Sequence, residues 1–209
     1  MPHHLDVREA VASERRDLVR VLEQLAPSDW DRPSLCEGWR IREVVAHITM
    51  PFRVSRGRFV WELLRSGGNF DRLSDRCARR DAAARSIDDL VASLRDNVDH
   101  PWTPPGMGPE AALSHDVIHG LDITVALGID RTVPLDRLQV VLESQSPKQV
   151  GYFGVDLDGI ELRADDLDWT YGAGEPLSGP AQDLLLVLCG RQLPATRLRG
   201  EPRARFVRR

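Results

Sequence analysis

The chain has 209 residues, of which 29% are charged and only 6% aromatic, and its formal net charge is -4 at pH 7. That length buries a sizeable core but leaves much of any helical surface solvated. The acidic balance argues against a broad electrostatic footprint for nucleic acid, and no stretch approaches the roughly 18 consecutive apolar residues that span a bilayer, so neither nucleic acid nor membrane is expected as a partner.

The opening Met1 to Ala10 has neither a basic nor an apolar leader region, and Cys36, Cys77 and Cys189 are odd in number and far apart. A disulfide framework is not expected, and the reading is a cytoplasmic protein, monomer or homodimer. Residues 5 to 25 place Val7, Val11, Leu18, Leu22 and Leu25 at helical spacing, and Pro27 ends the pattern. Ser28 to Trp39, with Pro33 and Gly38, reads as a loop whose Trp30 and Trp39 cover the end of a bundle. A second helix starts near Arg40 with Ile41, Val44, Val45 and Ile48 on its buried side, and Pro51 kinks it or divides it from the apolar-patterned Phe52 to Leu64. After the break Ser66 to Asn69, the charged stretch Asn69 to Ala84 is weakly patterned and reads as loop or a mobile short helix. Ser86 with Asp89 resembles a capping box opening a third helix through Leu90, Val91 and Leu94. His100 to Gly106 is too rich in proline to be helical, and a fourth helix runs from about Pro109 to Leu127, with Gly128 as its stop. Leu135, Leu138, Val141 and Leu142 suggest a fifth.

From about Pro147 the texture changes. Gly159 to Ala164 and Asp168 to Tyr171 alternate with period two, Gly172 to Gly174 turn the chain, Ala181 to Leu188 form an apolar helix, and Thr196 to Arg199 are placed as a returning strand. The expected fold is mainly α: an antiparallel helical bundle over 1–147 followed by a small C-terminal α/β domain over 148–209.

His115 and His119 are four apart in a helical pattern, so both imidazoles project from one face about one turn apart. His47 sits beside the residues assigned to the buried side of the second helix. Three helix-borne histidines facing one bundle interior would hold a single divalent metal. Asp122 lies three residues after His119 and seven after His115, where its carboxylate would accept the second ring N–H of a ligand histidine. Cys36, just ahead of the metal helix, is either a reactive thiol or a small buried one. The tail Arg203, Arg205, Arg208 and Arg209 reads as a solvated terminus.

At these residues the chain resembles a known family. Leu35-Cys36-Glu37-Gly38-Trp39-Arg40-Ile41-Arg42-Glu43-Val44-Val45-Ala46-His47-Ile48 looks like the entry to the second helix of the DinB superfamily, in its actinobacterial maleylpyruvate isomerase-like branch. Asp116-Val117-Ile118-His119-Gly120-Leu121-Asp122-Ile123 with Ala126-Leu127-Gly128 resembles that branch's later histidine-bearing helix, and Asp168-Trp169, Gly174, Gly179, Asp183 to Leu186 and Gly190-Arg191 are similar to its C-terminal domain. The resemblance implies a DinB-like four-helix bundle and a divalent metal, zinc first, with nickel, manganese or iron as alternatives. It also implies thiol chemistry with mycothiol as co-substrate. His47 and His119 fall on the family's histidine ligands. His115 falls where this branch more often has Glu and other DinB members have His, and Leu121 where Trp is common.

Three protein ligands leave an open position, where a bound thiol would lose its proton and attack a small electrophilic substrate, for S-transfer or for isomerisation about a conjugated double bond. Arg191, as a catalytic or co-substrate-binding residue, and Arg199, as a co-substrate-binding residue, would orient an anionic substrate or the polar thiol; an arginine ending a helix also serves as a simple cap. The alternative reading is a non-catalytic metal-binding or regulatory module of the same fold.

Overall fold

The structure is a computed structural model that describes residues 5–208. Its compact units are Asp6–Leu127 and the residues from Gly128 onward. The sequence reading placed this division at 147. The structure moves it to Gly128, whose φ of +71° ends the preceding helix in the left-handed region that favours glycine.

The first unit is built on α1 (Val7–Leu22), α2 (Ile41–Arg53), α5 (Ile87–Arg95) and α6 (Pro109–Leu127). α1 packs on α5 and α6, and α2 packs on the same two helices, which makes a four-helix bundle. Its core joins Leu18 and Leu22 of α1 to Val44, Val45 and Ile48 of α2, Leu90 and Leu94 of α5 and Ile123 of α6. Each fully buried leucine here contributes about 1.5–3 kcal/mol of transfer free energy. Trp30, on a short 3₁₀ turn over Pro27–Asp31, is buried against this core as expected. Pro51 does not divide α2, which continues to Arg53; the break comes at Ser55, whose side chain accepts from Arg58 N and opens α3 (Arg56–Arg65). The capping box at α5 is present, with Asp89 N donating to Ser86 Oγ at 3.1 Å and Ser86 N to Asp89 Oδ2 at 3.3 Å.

Asn69 to Ala84 departs from the sequence reading. It forms a full helix, α4 (Phe70–Ala84), capped by Asn69 and packed on α2. Its buried face consists of Leu73, Cys77, Ala78 and Ala82 with Ser74 and Asp81, so small and polar groups take places where a periodic stripe of large aliphatics would have marked a helix.

The second unit contains α7 (Leu135–Glu143), α8 (Pro147–Tyr152) and α9 (Ala181–Leu188) with a three-stranded sheet, β1 (Ile160–Ala164), β2 (Thr170–Gly172) and β3 (Glu175–Gly179), in the order β2-β1-β3. β1 is antiparallel to β2 and parallel to β3, with Leu162 opposite both Tyr171 and Leu177. Gly172 to Gly174 turn the chain as expected. A Cβ on Gly174, whose φ is +133°, would lie 2.1 Å from the Gly159 carbonyl oxygen, the group that accepts from Glu175 N at 2.9 Å to start β3. The returning strand expected at Thr196 to Arg199 is reduced to one antiparallel bridge between Arg199 and Ser178. Among the described residues no helix is long and apolar enough to cross a membrane.

Candidate metal centre

Helix α2 is amphipathic, and the face that buries Val44, Val45 and Ile48 also buries His47. Helix α6 is buried on most of its circumference, so His115 and His119, one turn apart, are presented inside the bundle rather than to bulk water. The three rings meet. Centroids are 5.1 Å apart for His47 and His115, 4.9 Å for His47 and His119, and 4.8 Å for His115 and His119. One ring nitrogen of each histidine lies within 4.8 Å of the others.

Two buried carboxylates select the nitrogens. His115 Nδ1 is 2.9 Å from Asp116 Oδ1, and His119 Nδ1 is 3.0 Å from Asp122 Oδ2. An ionised carboxylate only accepts, so Nδ1 carries the proton on both rings and the lone pair falls on Nε2. Asp116 is anchored by Arg15 of α1, a fully buried side chain whose Nε donates to Asp116 Oδ2 at 2.7 Å and whose Nη1 donates to the His100 carbonyl at 2.7 Å. Burial alone would raise the Asp116 pKa, but the hydrogen bond from His115 and the bonded guanidinium of Arg15 outweigh it and hold the carboxyl below its ordinary range. The guanidinium also lies 5.0 Å from the Phe52 ring centroid.

His47 is held well below the usual histidine range, first by burial and then by the neighbouring imidazoles, and is therefore neutral at physiological pH. Its Nδ1 is buried without a hydrogen-bond partner among the described residues, while its Nε2 is 3.2 Å from His115 Nε2. Two nitrogen lone pairs do not face each other at that distance without a proton or a cation between them. Nitrogens each about 2.1 Å from one ion, at angles of 90–109°, stand about 3.0–3.4 Å apart, so this pair fits adjacent positions on one divalent cation. Trp39 packs against His47 at 5.1 Å and Trp102 against His115 at 5.2 Å, walling the cluster with half-buried indoles. The side chains of His115 and His119 each keep 14% exposure.

Of the residues singled out in the sequence, His47, His115, His119 and Asp122 come together. Arg191 and Arg199 belong to the second unit, where Arg191 donates to the Cys189 carbonyl at 3.1 Å and Arg199 pairs with Asp165. Sequence reasoning missed Asp116 and Arg15. Arg15 carried a signal: it lies on the stripe Val11, Arg15, Leu18, Leu22, and a charge within a buried stripe requires a buried partner. Cys36, read as reactive or simply buried, is buried and donates to Asp122 Oδ2 at 2.9 Å.

The model of the mycothiol maleylpyruvate isomerase N-terminal domain matches residues 11–123, more than half of the chain and nearly all of the bundle unit. The chain belongs to this family. Two solved structures, a mycothiol-dependent maleylpyruvate isomerase and a histidine-to-alanine mutant of it, are similar over 95% of this chain and 94% of theirs, with a TM-score of 0.57 and 14% identity in each case. At that identity the likeness establishes the shared fold, and family membership rests on the matched bundle. No curated protein sequence matches the chain significantly.

Proposed function

We propose that this family member is a divalent-metal-dependent enzyme that activates a low-molecular-weight thiol, mycothiol, for S-transfer to, or isomerisation of, a small electrophilic substrate. The observation that carries the reading is the convergence of three helix-borne imidazoles, two of which have Nδ1 held by a buried carboxylate so that Nε2 is left for ligation. His47, His115 and His119 would hold the ion, and zinc suits three nitrogen donors with an open position, with nickel, manganese or iron as alternatives. A divalent cation in that place supplies the positive charge that keeps a thiol ionised at neutral pH.

The protein's own groups set the conditions for that chemistry. Asp116 and Asp122 retain the Nδ1 protons and raise the basicity of the two rings, and Arg15 keeps Asp116 charged. Trp39 and Trp102 limit water around the histidines. In an isomerisation the thiolate sulfur bonds to one carbon of a conjugated double bond, the π electron pair moves to the conjugated acceptor, the new single bond rotates, and expulsion of the thiolate restores the double bond. In a transfer the carbon–sulfur bond remains. Arg191 and Arg199 are proposed to orient an anionic substrate or the polar thiol. The three cysteines are free thiols, which suits the cytoplasm.

The rival reading, a non-catalytic module that keeps the bundle but has lost turnover, would be favoured by a fourth protein ligand closing the site. Cys36 and Asp122 contact His119 through Nδ1, the nitrogen turned away from ligation, and this favours the enzyme. The test is elemental analysis of purified protein, followed by conjugation and isomerisation assays with mycothiol before and after chelation. Turnover lost on chelation and restored by the metal is the expected result; stoichiometric metal with no thiol binding by calorimetry and no turnover in a broad electrophile screen rejects the enzyme.

A further inference from the structure

Cys36 makes a contact for which the chemistry above has no use. Its thiol and His119 Nδ1 converge on one atom, Asp122 Oδ2, at 2.9 and 3.0 Å, and the sulfur is 3.8 Å from that nitrogen. The loop that carries Cys36 is fastened at the same place on α6: Leu35 N donates to the Asp122 carbonyl at 3.1 Å. Within the loop, Ser34 Oγ accepts from Cys36 N at 3.1 Å and donates to the Trp39 carbonyl at 2.9 Å, while Trp39 N donates to the Cys36 carbonyl at 3.1 Å, so the sulfur's position is set by backbone bonds on both sides of it. Asp122 itself is fully buried. A carboxylate in that setting is oriented by its donors, and its orientation fixes the plane and tautomer of the imidazole it holds.

We propose that Cys36 is a positioning residue for the metal centre: by donating its S–H to Asp122 Oδ2 it fixes the carboxylate that keeps His119 with Nε2 free for the ion. This rests on the metal reading given above. The same three groups, Cys36, His119 and Asp122, are also close enough to one another to suggest direct ligation by sulfur. Ring geometry separates the two roles. The two nitrogens of an imidazole point in divergent directions, so a sulfur in contact with Nδ1 does not reach an ion bound at Nε2.

The test uses the full chain, stripped of metal and titrated with Co²⁺, as wild type, Cys36→Ser and Cys36→Ala. The serine hydroxyl keeps a donor to Asp122 and the alanine does not. Cys36→Ala is expected to weaken Co²⁺ binding about tenfold, the lower end of the range for partners that orient ligands, while Cys36→Ser stays within about twofold of wild type. Circular dichroism and thermal midpoints of the metal-free variants should match each other, which separates positioning from damage to the fold. No protein should show a near-ultraviolet sulfur-to-cobalt charge-transfer band. A band in wild type that Cys36→Ser abolishes puts the sulfur on the ion and overturns the proposal; so does a Cys36→Ala variant that binds as tightly as wild type, or a Cys36→Ser variant as weak as Cys36→Ala. Wild type that takes up no Co²⁺ overturns the metal centre itself, and the positioning role with it.

Discussion

Replacing Arg15 with methionine removes the partner of a carboxylate that has almost no contact with water, since the two side chains are 0% and 2% exposed. Breaking one half of a buried ion pair costs about 3–5 kcal/mol, because the remaining charge is left without compensation. The 2.7 Å bond from Nη1 to the His100 carbonyl adds about 1 kcal/mol, and the weaker contacts of Nη1 with the carbonyls of Asn97 and Val98 less. The total, roughly 4–6 kcal/mol, is comparable to the whole stability of a small domain. The double variant Arg15→Met/Asp116→Leu removes both charges and should regain most of the ion-pair loss, keeping a deficit of about 1–3 kcal/mol from the stranded carbonyls and the lost His115 partner. Arg95→Met, which opens an exposed pair with Glu23, should cost under about 1 kcal/mol. Urea unfolding of metal-free protein, followed by far-ultraviolet circular dichroism, measures all three without a contribution from bound ion. If Arg15→Met proves too unstable to purify, Asp116→Asn tests the same pair from its other end. A cost for Arg15→Met no larger than that for Arg95→Met, or a double variant no more stable than Arg15→Met alone, would refute the reasoning.

Metal content after dialysis should fall to background in His119→Ala and stay at the wild-type level in His100→Ala, because His100 packs at a tilt against Phe52 and accepts from Trp102 N outside the cluster; equal metal in the two variants would count against the ligand set. Glu43 caps the N-terminus of the helix that carries His47: burial would raise its pKa, but bonds from the side chain and backbone N–H of Arg40 outweigh this and lower it, so its stabilisation is complete above the unfolded value near 4.3 and disappears as pH falls through the lower folded value. Glu43→Gln should therefore destabilise by about 1 kcal/mol at pH 7, a modest figure because the Arg40 side chain is half exposed, with the gap closing as pH falls through the lowered folded value; a gap that is constant with pH defeats the assignment. In the second unit, Gly174→Ala should cost more than about 2 kcal/mol by thermal or urea unfolding, since its Cβ would meet the Gly159 carbonyl at 2.1 Å, whereas Gly67→Ala, also at positive φ but with open space around it, should cost about 1 kcal/mol; equal costs would show that the close approach is not limiting.

The bundle was legible because α1, α2 and α5 carry apolar stripes between recognisable stops and α6 is bounded by Pro109 and Gly128, and His47 was legible because it interrupts such a stripe. α4 was not, since its buried face is one leucine with alanines, a cysteine, Ser74 and Asp81, and it pairs with α2 through Arg53 and Asp81 as well as by apolar contact, so too few large aliphatics stand out in a charged segment. β3 was not, because it contains Pro176 and only Leu177 and Gly179 are buried; what makes it a strand is its parallel pairing with β1, a long-range contact that no local pattern announces. Asp122 was found by helical spacing from His119. Asp116 escaped the same rule, since neighbours in sequence do not normally share a helix face, and it reaches His115 as an adjacent residue while its other oxygen takes the buried Arg15.

That pairing scheme explains why a helix buried on most sides tolerates two aspartates and two histidines. A buried carboxylate is acceptable only when its oxygens are occupied. On α6, Ser114 and Thr124 satisfy themselves on carbonyls of their own helix, one turn back. Asp116 serves His115 and Arg15, and Asp122 serves His119 and Cys36, so each carboxylate takes one imidazole and one donor from a different segment, α1 in the first case and the loop before α2 in the second. The polar atoms are thus consumed in a fixed order that ends on Nε2 of each ring, beside the neutral His47 of α2. Packing α1, α2 and α6 together therefore both completes the bundle's core and aligns the ring nitrogens, so under the proposed metal reading substitutions in the Arg15–Asp116 or Cys36–Asp122 pairs should lower metal affinity without removing any of the three imidazoles.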